Sequence, residues 1–284
     1  MPSPVKAEAA PQQVQEPERR ILFDRTSPFA RVLVSDEGPL RVLRFGSFDA
    51  ATQSAIIRGQ PRAVPVEYVR YSLLGLAHHG HPRHILMVGL GGGTFSTLVH
   101  RALPEINVDV VEIDAVVAEA ARAFFGLREE ENYRVHLADA AAWMARDGER
   151  YDFVLLDAYA GDDIPTVLGE PPFFQAVARR LALDGVVALN IAQPEGAGVV
   201  VARNFRRVFT PFDCRQTPRD GNVVIFGADA ARRFDPAARA RWLAAWDARA
   251  PTDFSLRALA GDVAGRVRPQ CDRLLAGSAA SASP

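Results

Sequence analysis

An apolar run that opens directly onto four glycines, ILMVGLGGGTFSTLV from Ile85 to Val99, constrains this chain more than any other stretch. A short buried strand, a glycine turn and a helix form the first unit of a doubly wound sheet, where a ligand lies beyond the strand's carboxyl end against bare backbone. The residues that follow keep to that plan. From Arg83 onward the apolar runs HILMV, VDVVEI, YRVHL, YDFVLLD and GVVALNI alternate with helical patterns such as AVVAEAARAFF and PPFFQAVARRLA. Continuous apolar strands between helices predict an α/β fold with a parallel sheet covered on both faces. FDCRQT and NVVIFGA, set around PRDG, predict an antiparallel hairpin closing one edge.

Four segments are expected. Residues 1–19 read as a disordered leader, polar and rich in Pro, Gln and Glu; 20–64 as a small β-rich subdomain in which ARVLVS and LRVLRFG meet at the turn DEGP. Residues 65–250 form the main domain, entered through the helical pattern PVEYVRYSLLGLAHHG, and 251–284 form a C-terminal segment with a flexible tail. A 48% hydrophobic share supports a sizeable core, and a net charge of −1 gives no global attraction to nucleic acid or an anionic membrane. No signal-peptide pattern and no spanning apolar run is present, so a cytoplasmic location is expected. Cys214 and Cys271 have neither framework nor metal-ligand spacing and are expected to be plain thiols in a reducing compartment. Lys6 is the sole lysine, which argues against Schiff-base chemistry and a phosphate-binding P-loop.

Gly89, Gly91, Gly92 and Gly93 occupy the first turn, and about twenty residues on Glu112 ends the second strand, where a carboxylate can accept from both hydroxyls of a ribose. Glycines that only make a tight turn are the plain alternative, which Glu112 weakens; a dinucleotide site is another, which Thr94 weakens by replacing the third fingerprint glycine. Asp139 follows the third strand and is placed either to cap the next helix or to meet an adenine amino group. Asp157 ends the fourth strand before a loop rich in Gly, Asp and Pro, either as a catalytic carboxylate at the cleft rim or as a solvated loop residue. Asn190, at the end of strand five, faces the cleft or simply terminates the strand. The histidines of HHGHPRH enter the first strand from its amino end, away from that rim, so no metal is expected. Trp242 and Trp246 are expected to pack in the core or at a subunit contact, and a homodimer is left open.

With GLGGG, VVEID, LADA and LLDAYAGDDIP in this order, the chain resembles the polyamine aminopropyltransferase family, the spermidine synthases, from about Phe23 to Ala228. The upstream stretch QSAIIRGQPRAVPVEYVRY resembles the link between that family's two domains. The resemblance implies a Rossmann-like class I methyltransferase fold: a seven-stranded, mostly parallel sheet with a C-terminal antiparallel hairpin, preceded by the small N-terminal β-hairpin subdomain. It implies transfer of an aminopropyl group from decarboxylated S-adenosylmethionine to a small-molecule amine, without metal, nucleic acid or membrane. On this likeness Glu112 holds the ribose, Asp139 and Ala140 the adenine, and the loop of Gly89, Gly91, Gly92 and Gly93 lies beside the nucleoside. Asp157 orients the attacking amine, Asp162 and Asp163 share its work, and Gln53 and Tyr68 wall the substrate cleft.

Four positions depart from the family's pattern. Gly92 stands where classical members carry the aspartate that recognises the donor's amine, Ala160 stands at the second aspartate of the strand-four loop, and Val69 and Arg70 replace a His-Glu pair after Tyr68. These departures keep two alternatives in view. One is a methyltransferase using intact S-adenosylmethionine and a small-molecule acceptor, with Arg58, Arg62 or Arg70 facing the donor's carboxylate; the other is a nucleoside-binding homologue without catalysis.

Overall fold

Residues 19–161, 163–232, 234–250, 252–261 and 269–275 are described by a computed structural model. The expected leader, apart from Arg19, and the tail from residue 276 lie outside them. The chain begins with four antiparallel strands in sequential order, β1 (Arg19–Thr26), β2 (Arg31–Glu37), β3 (Leu40–Phe45) and β4 (Thr52–Ile57). The central pair are the two strands expected from ARVLVS and LRVLRFG, and their apolar side chains Val32, Val34, Val42 and Leu43 are buried. β1 and β4 are additions to the expected hairpin. Their sequences, RRILFDRT and TQSAII, lack apolar alternation because β1 is mostly exposed and β4 buries the small Ser54 and Ala55.

Two short helices, α1 (Glu67–Ser72) and α2 (Leu74–His79), then replace the single lead-in helix, parting at Leu73. The main sheet contains β5 (His84–Val88), β6 (Asn107–Glu112), β7 (Tyr133–Leu137), β8 (Tyr151–Leu156), β9 (Leu181–Ile191), β10 (Thr210–Gln216) and β11 (Val223–Ala228), in the order β10-β11-β9-β8-β5-β6-β7. The first five are mutually parallel, and β10 and β11 form the antiparallel hairpin at one edge. Helices α3 (Thr94–Ala102), α4 (Ala115–Phe124) and α8 (Pro236–Arg249) help cover one face; α5 (Ala140–Ala145), α6 (Pro171–Arg180) and α7 (Ala197–Arg206) cover the other. Strand order reverses between β5 and β8, so the crevice for a ligand opens at their carboxyl ends. The N-terminal sheet overhangs that crevice, held to α4 by Arg25 on Glu119 at 2.7 Å and by Ser27 on Asp114 at 2.5 Å.

Two further short helices, α9 (Leu256–Gly261) and α10 (Pro269–Leu275), follow α8. Cys271 of α10 is bonded to Cys214 of β10, with Cα atoms 5.8 Å apart. This corrects the expectation of two plain thiols and removes the argument for a reducing compartment that rested on them. The partners are 57 residues apart, a separation that carries no pairing signal in the sequence. Trp246 is buried and stacks with Trp242 at 5.4 Å, so this pair belongs to the core. The histidines meet carboxylates: His78 on Asp213 at 2.9 Å, and His84 and His136 together on Asp109 at 2.8 and 2.7 Å. Among the described residues no group of His, Cys, Asp or Glu converges to hold a metal ion, and no helix is long and apolar enough to cross a membrane.

Candidate active site

The glycine loop is shaped by what lies behind it. Gly89 has φ +89°, and a Cβ there would lie 2.4 Å from the carbonyl oxygen of Asp157. Its N–H donates to the Val111 carbonyl at 2.9 Å, while the Asp157 N–H donates to the Val88 carbonyl at 2.9 Å. The ends of β5, β6 and β8 are thereby drawn together, and only a glycine permits that approach. Glu112 reaches back from β6, accepting from the Leu90 N–H at 2.9 Å and the Asp114 N–H at 2.8 Å. Burial raises its pKa, opposed by those backbone donors.

Gly89 and Gly91 line the cleft; Gly92 and Gly93 do not. The Gly92 N–H donates to Ser54 Oγ at 2.9 Å, and a Cβ at Gly92 would lie 2.9 Å from both the Phe125 ring and the Ser54 Cβ. Gly93, with φ +71°, starts α3 against Leu127. Position 92 therefore supports the overhanging sheet, which is a reason for glycine there that motif comparison does not reveal.

The cleft between the two sheets has a volume of about 930 Å³. Among the described residues six carboxylates line it, those of Glu37, Glu112, Asp114, Asp139, Asp157 and Asp220, against one guanidinium, Arg44. Arg44 is already engaged by Glu37 at 2.6 and 3.1 Å and by the Ala50 carbonyl at 3.1 Å. Asp114 caps α4 through the Val116 N–H at 2.8 Å. Asp139 caps α5 through the Ala142 N–H at 2.7 Å and also lines the cleft beside Ala140. Around this end stand Phe29, Ile113 and Val167, exposed by 55%, 44% and 52%, a group of large apolar side chains suited to a planar ring.

At the other end Asp157 is surrounded by neutral donors. Asn190 Nδ2 donates to its Oδ1 at 2.8 Å, and the Tyr68 hydroxyl lies within hydrogen-bonding reach. Burial pushes the carboxyl up to about 7 against these two donors, and the same burial raises the Tyr68 hydroxyl well above its ordinary value. Asn190 accepts in turn from Asn222 at 3.1 Å. The Tyr159 hydroxyl donates to the Asn190 carbonyl and accepts from the Ala192 N–H, both at 2.7 Å, which fixes the end of β9. Gln53 spans the cleft mouth to the Gly161 carbonyl at 3.4 Å.

Asp163 is not part of this group: it is exposed and lines a neighbouring cavity of about 260 Å³, and Asp162 lies outside the described residues. None of Arg58, Arg62 and Arg70 lines the cleft; Arg58 pairs with Asp36 at 3.3 Å and Arg70 donates to the Val64 carbonyl at 2.6 Å. Tyr159, Asn222 and Asp220 escaped sequence reasoning because each reaches the cleft from a turn or strand end whose residue type is ordinary there.

A parallel sheet reversing at β5 and β8, an antiparallel hairpin at its edge and a carboxylate ending β6 define the class I methyltransferase arrangement. Residues 72–204 match the family model for the spermine/spermidine synthase domain. The polyamine aminopropyltransferase of Vibrio vulnificus (strain CMCP6) is 35% identical over 211 residues, covering 72% of this chain and 71% of that protein. The eEF1A lysine and N-terminal methyltransferase of Homo sapiens is 31% identical over 158 residues, 51% of this chain and 23% of that protein. The crystal structure of spermidine synthase from Thermotoga maritima superposes with a TM-score of 0.70 at 17% identity, over 90% of this chain and 87% of that one. The chain belongs to the polyamine aminopropyltransferase family, a family of transferases.

Proposed function

We propose that the chain transfers an aminopropyl group from decarboxylated S-adenosylmethionine to a small polyamine amine, and that the charge of its cleft selects this donor. The observation that carries the reading is the excess of carboxylates over a single, already neutralised guanidinium. Such a cleft favours a cationic sulfonium and an amine, and among the described residues it offers a donor carboxylate no free cation. Of the loop amides, those of Gly89, Leu90, Gly92 and Gly93 already donate within the protein.

On this reading Glu112 takes the ribose, Asp139 and Ala140 border the adenine, and Asp157, Tyr68 and Gln53 receive the acceptor. The neutral amine nitrogen attacks the methylene carbon beside sulfur and forms the C–N bond. The C–S bond breaks with its electron pair going to sulfur, leaving neutral methylthioadenosine. The amine becomes neutral by giving one proton to Asp157 before attack, and the product nitrogen keeps the positive charge that the sulfonium loses. An acidic cleft holds an arriving amine in its protonated form, so a proton acceptor near neutrality is what the step needs. Positioning supplies the rest.

Purified protein supplied with 1,4-diaminobutane and either donor tests the proposal. Methylthioadenosine and an aminopropylated amine are expected from the decarboxylated donor alone. A methylated amine from the intact donor would replace the reading with methyl transfer, and tight methylthioadenosine binding without product from either would replace it with a binding role.

A further inference from the structure

Five of the six cleft carboxylates are accounted for. Glu37 is spent on Arg44, Glu112 and Asp114 organise the nucleoside end through backbone N–H groups, Asp139 caps α5 there, and Asp157 sits with Asn190 and Tyr68. Asp220 remains. It belongs to the turn between β10 and β11, and its Oδ2 accepts the Glu67 N–H at 3.2 Å while Glu67 Oε2 accepts the Arg219 N–H at 2.9 Å. This reciprocal pair fastens the hairpin tip to the first turn of α1, the helix that carries Tyr68.

The guanidinium of Arg219 is directed to Glu67 at 3.6 Å, and among the described residues no cationic side chain forms an ion pair with Asp220. Asp157, Tyr68 and Asp220 all line the cleft, and the charges of both carboxylates act on the Tyr68 hydroxyl. The loop after β8 offers no such charge on this cleft from its described residues beyond Asp157 itself: Ala160 has none, and Asp163 borders the smaller cavity.

We propose that Asp220 seats the distal ammonium of a diamine acceptor whose reacting nitrogen lies at Asp157, making it the residue that selects acceptors with a second amino group. The assignment rests on the aminopropyl-transfer reading for the identity of the cleft's acceptor end. A diamine that presents one neutral nitrogen to the donor still carries a cation at its other end, and that cation needs a carboxylate not already paired.

The test is calorimetry on the full chain with methylthioadenosine present, titrating 1,4-diaminobutane and 1-aminobutane. Wild type is expected to bind the diamine at least about tenfold more tightly than the monoamine, the scale of one hydrogen-bonded charge. Asp220→Asn is expected to abolish that preference and Asp220→Glu to retain part of it, both with unchanged methylthioadenosine affinity. The asparagine oxygen can still accept the Glu67 N–H, so the clasp to α1 is kept. A wild type that does not discriminate, or an Asp220→Asn variant that discriminates as wild type does, overturns the assignment. Product formation is read separately. An Asp220-dependent diamine preference without aminopropylated product would remove the transfer reading and leave the diamine seat standing, whereas product without that dependence would do the reverse.

Discussion

Asp157 combines two properties that seldom meet in one carboxylate: it ends a buried strand, and its donors, Asn190 and Tyr68, carry no charge. With a pKa raised to about 7, the group is protonated in weak acid and becomes a base only as pH rises. The expected rate profile therefore climbs through about pH 7 and levels above it, and Asp157→Asn is expected to lose on the order of 10²- to 10⁴-fold in rate. Steady-state assays across pH check this, with methylthioadenosine affinity unchanged in the variant. Glu112→Ala is expected to weaken methylthioadenosine by at least about tenfold and to lower stability by about 1–3 kcal/mol, since it also strands the Leu90 and Asp114 N–H groups. Calorimetry and thermal melts read the two losses independently. The positions of Glu112, Asp139 and Asp157 were legible in the sequence because each ends or closely follows a strand before a helix or loop. The surroundings of Asp157 were legible only in part: Tyr68 and Asn190 could be expected at the cleft, but their bonds to Asp157, and the support Asn222 gives Asn190, join elements that only the tertiary fold brings together.

At the scale of elements, the strand–loop–helix order of the main sheet could be read directly, because buried parallel strands are short apolar runs and their connections are helical. The N-terminal sheet was half legible. β4 hides because its inward residues Ser54 and Ala55 are small, and at Ser54 the glycine loop lies against the strand: Ser54 touches Gly92 and approaches Gly91. This contact changes what the missing family aspartate means. Restoring it as Gly92→Asp is expected to lower the melting temperature and leave donor affinity no better than wild type, since the new side chain would enter between Phe125 and Ser54. Thermal melts and donor titration of that variant check it; tighter donor binding would show that β4 yields.

For the whole molecule, the Cys214–Cys271 bond closes a long loop around β11, α8 and α9 and secures α10 on the face it shares with α7. In a chain-entropy account, a loop of 57 residues corresponds to about 4 kcal/mol. A reductant, or Cys271→Ser, is therefore expected to lower the melting temperature by several degrees, with thiol alkylation and mass measurement confirming the redox state. Unchanged melting would mean that packing of Leu274 and its neighbours suffices.

The same crosslink carries a consequence in time. Cys214 leaves the ribosome 57 residues before its partner, and at about 5–20 residues per second that interval is roughly 3–11 s. Throughout it the apolar face later covered by Cys271 and Leu274 stays open to water, so that side of the sheet is finished only after α10 has been made.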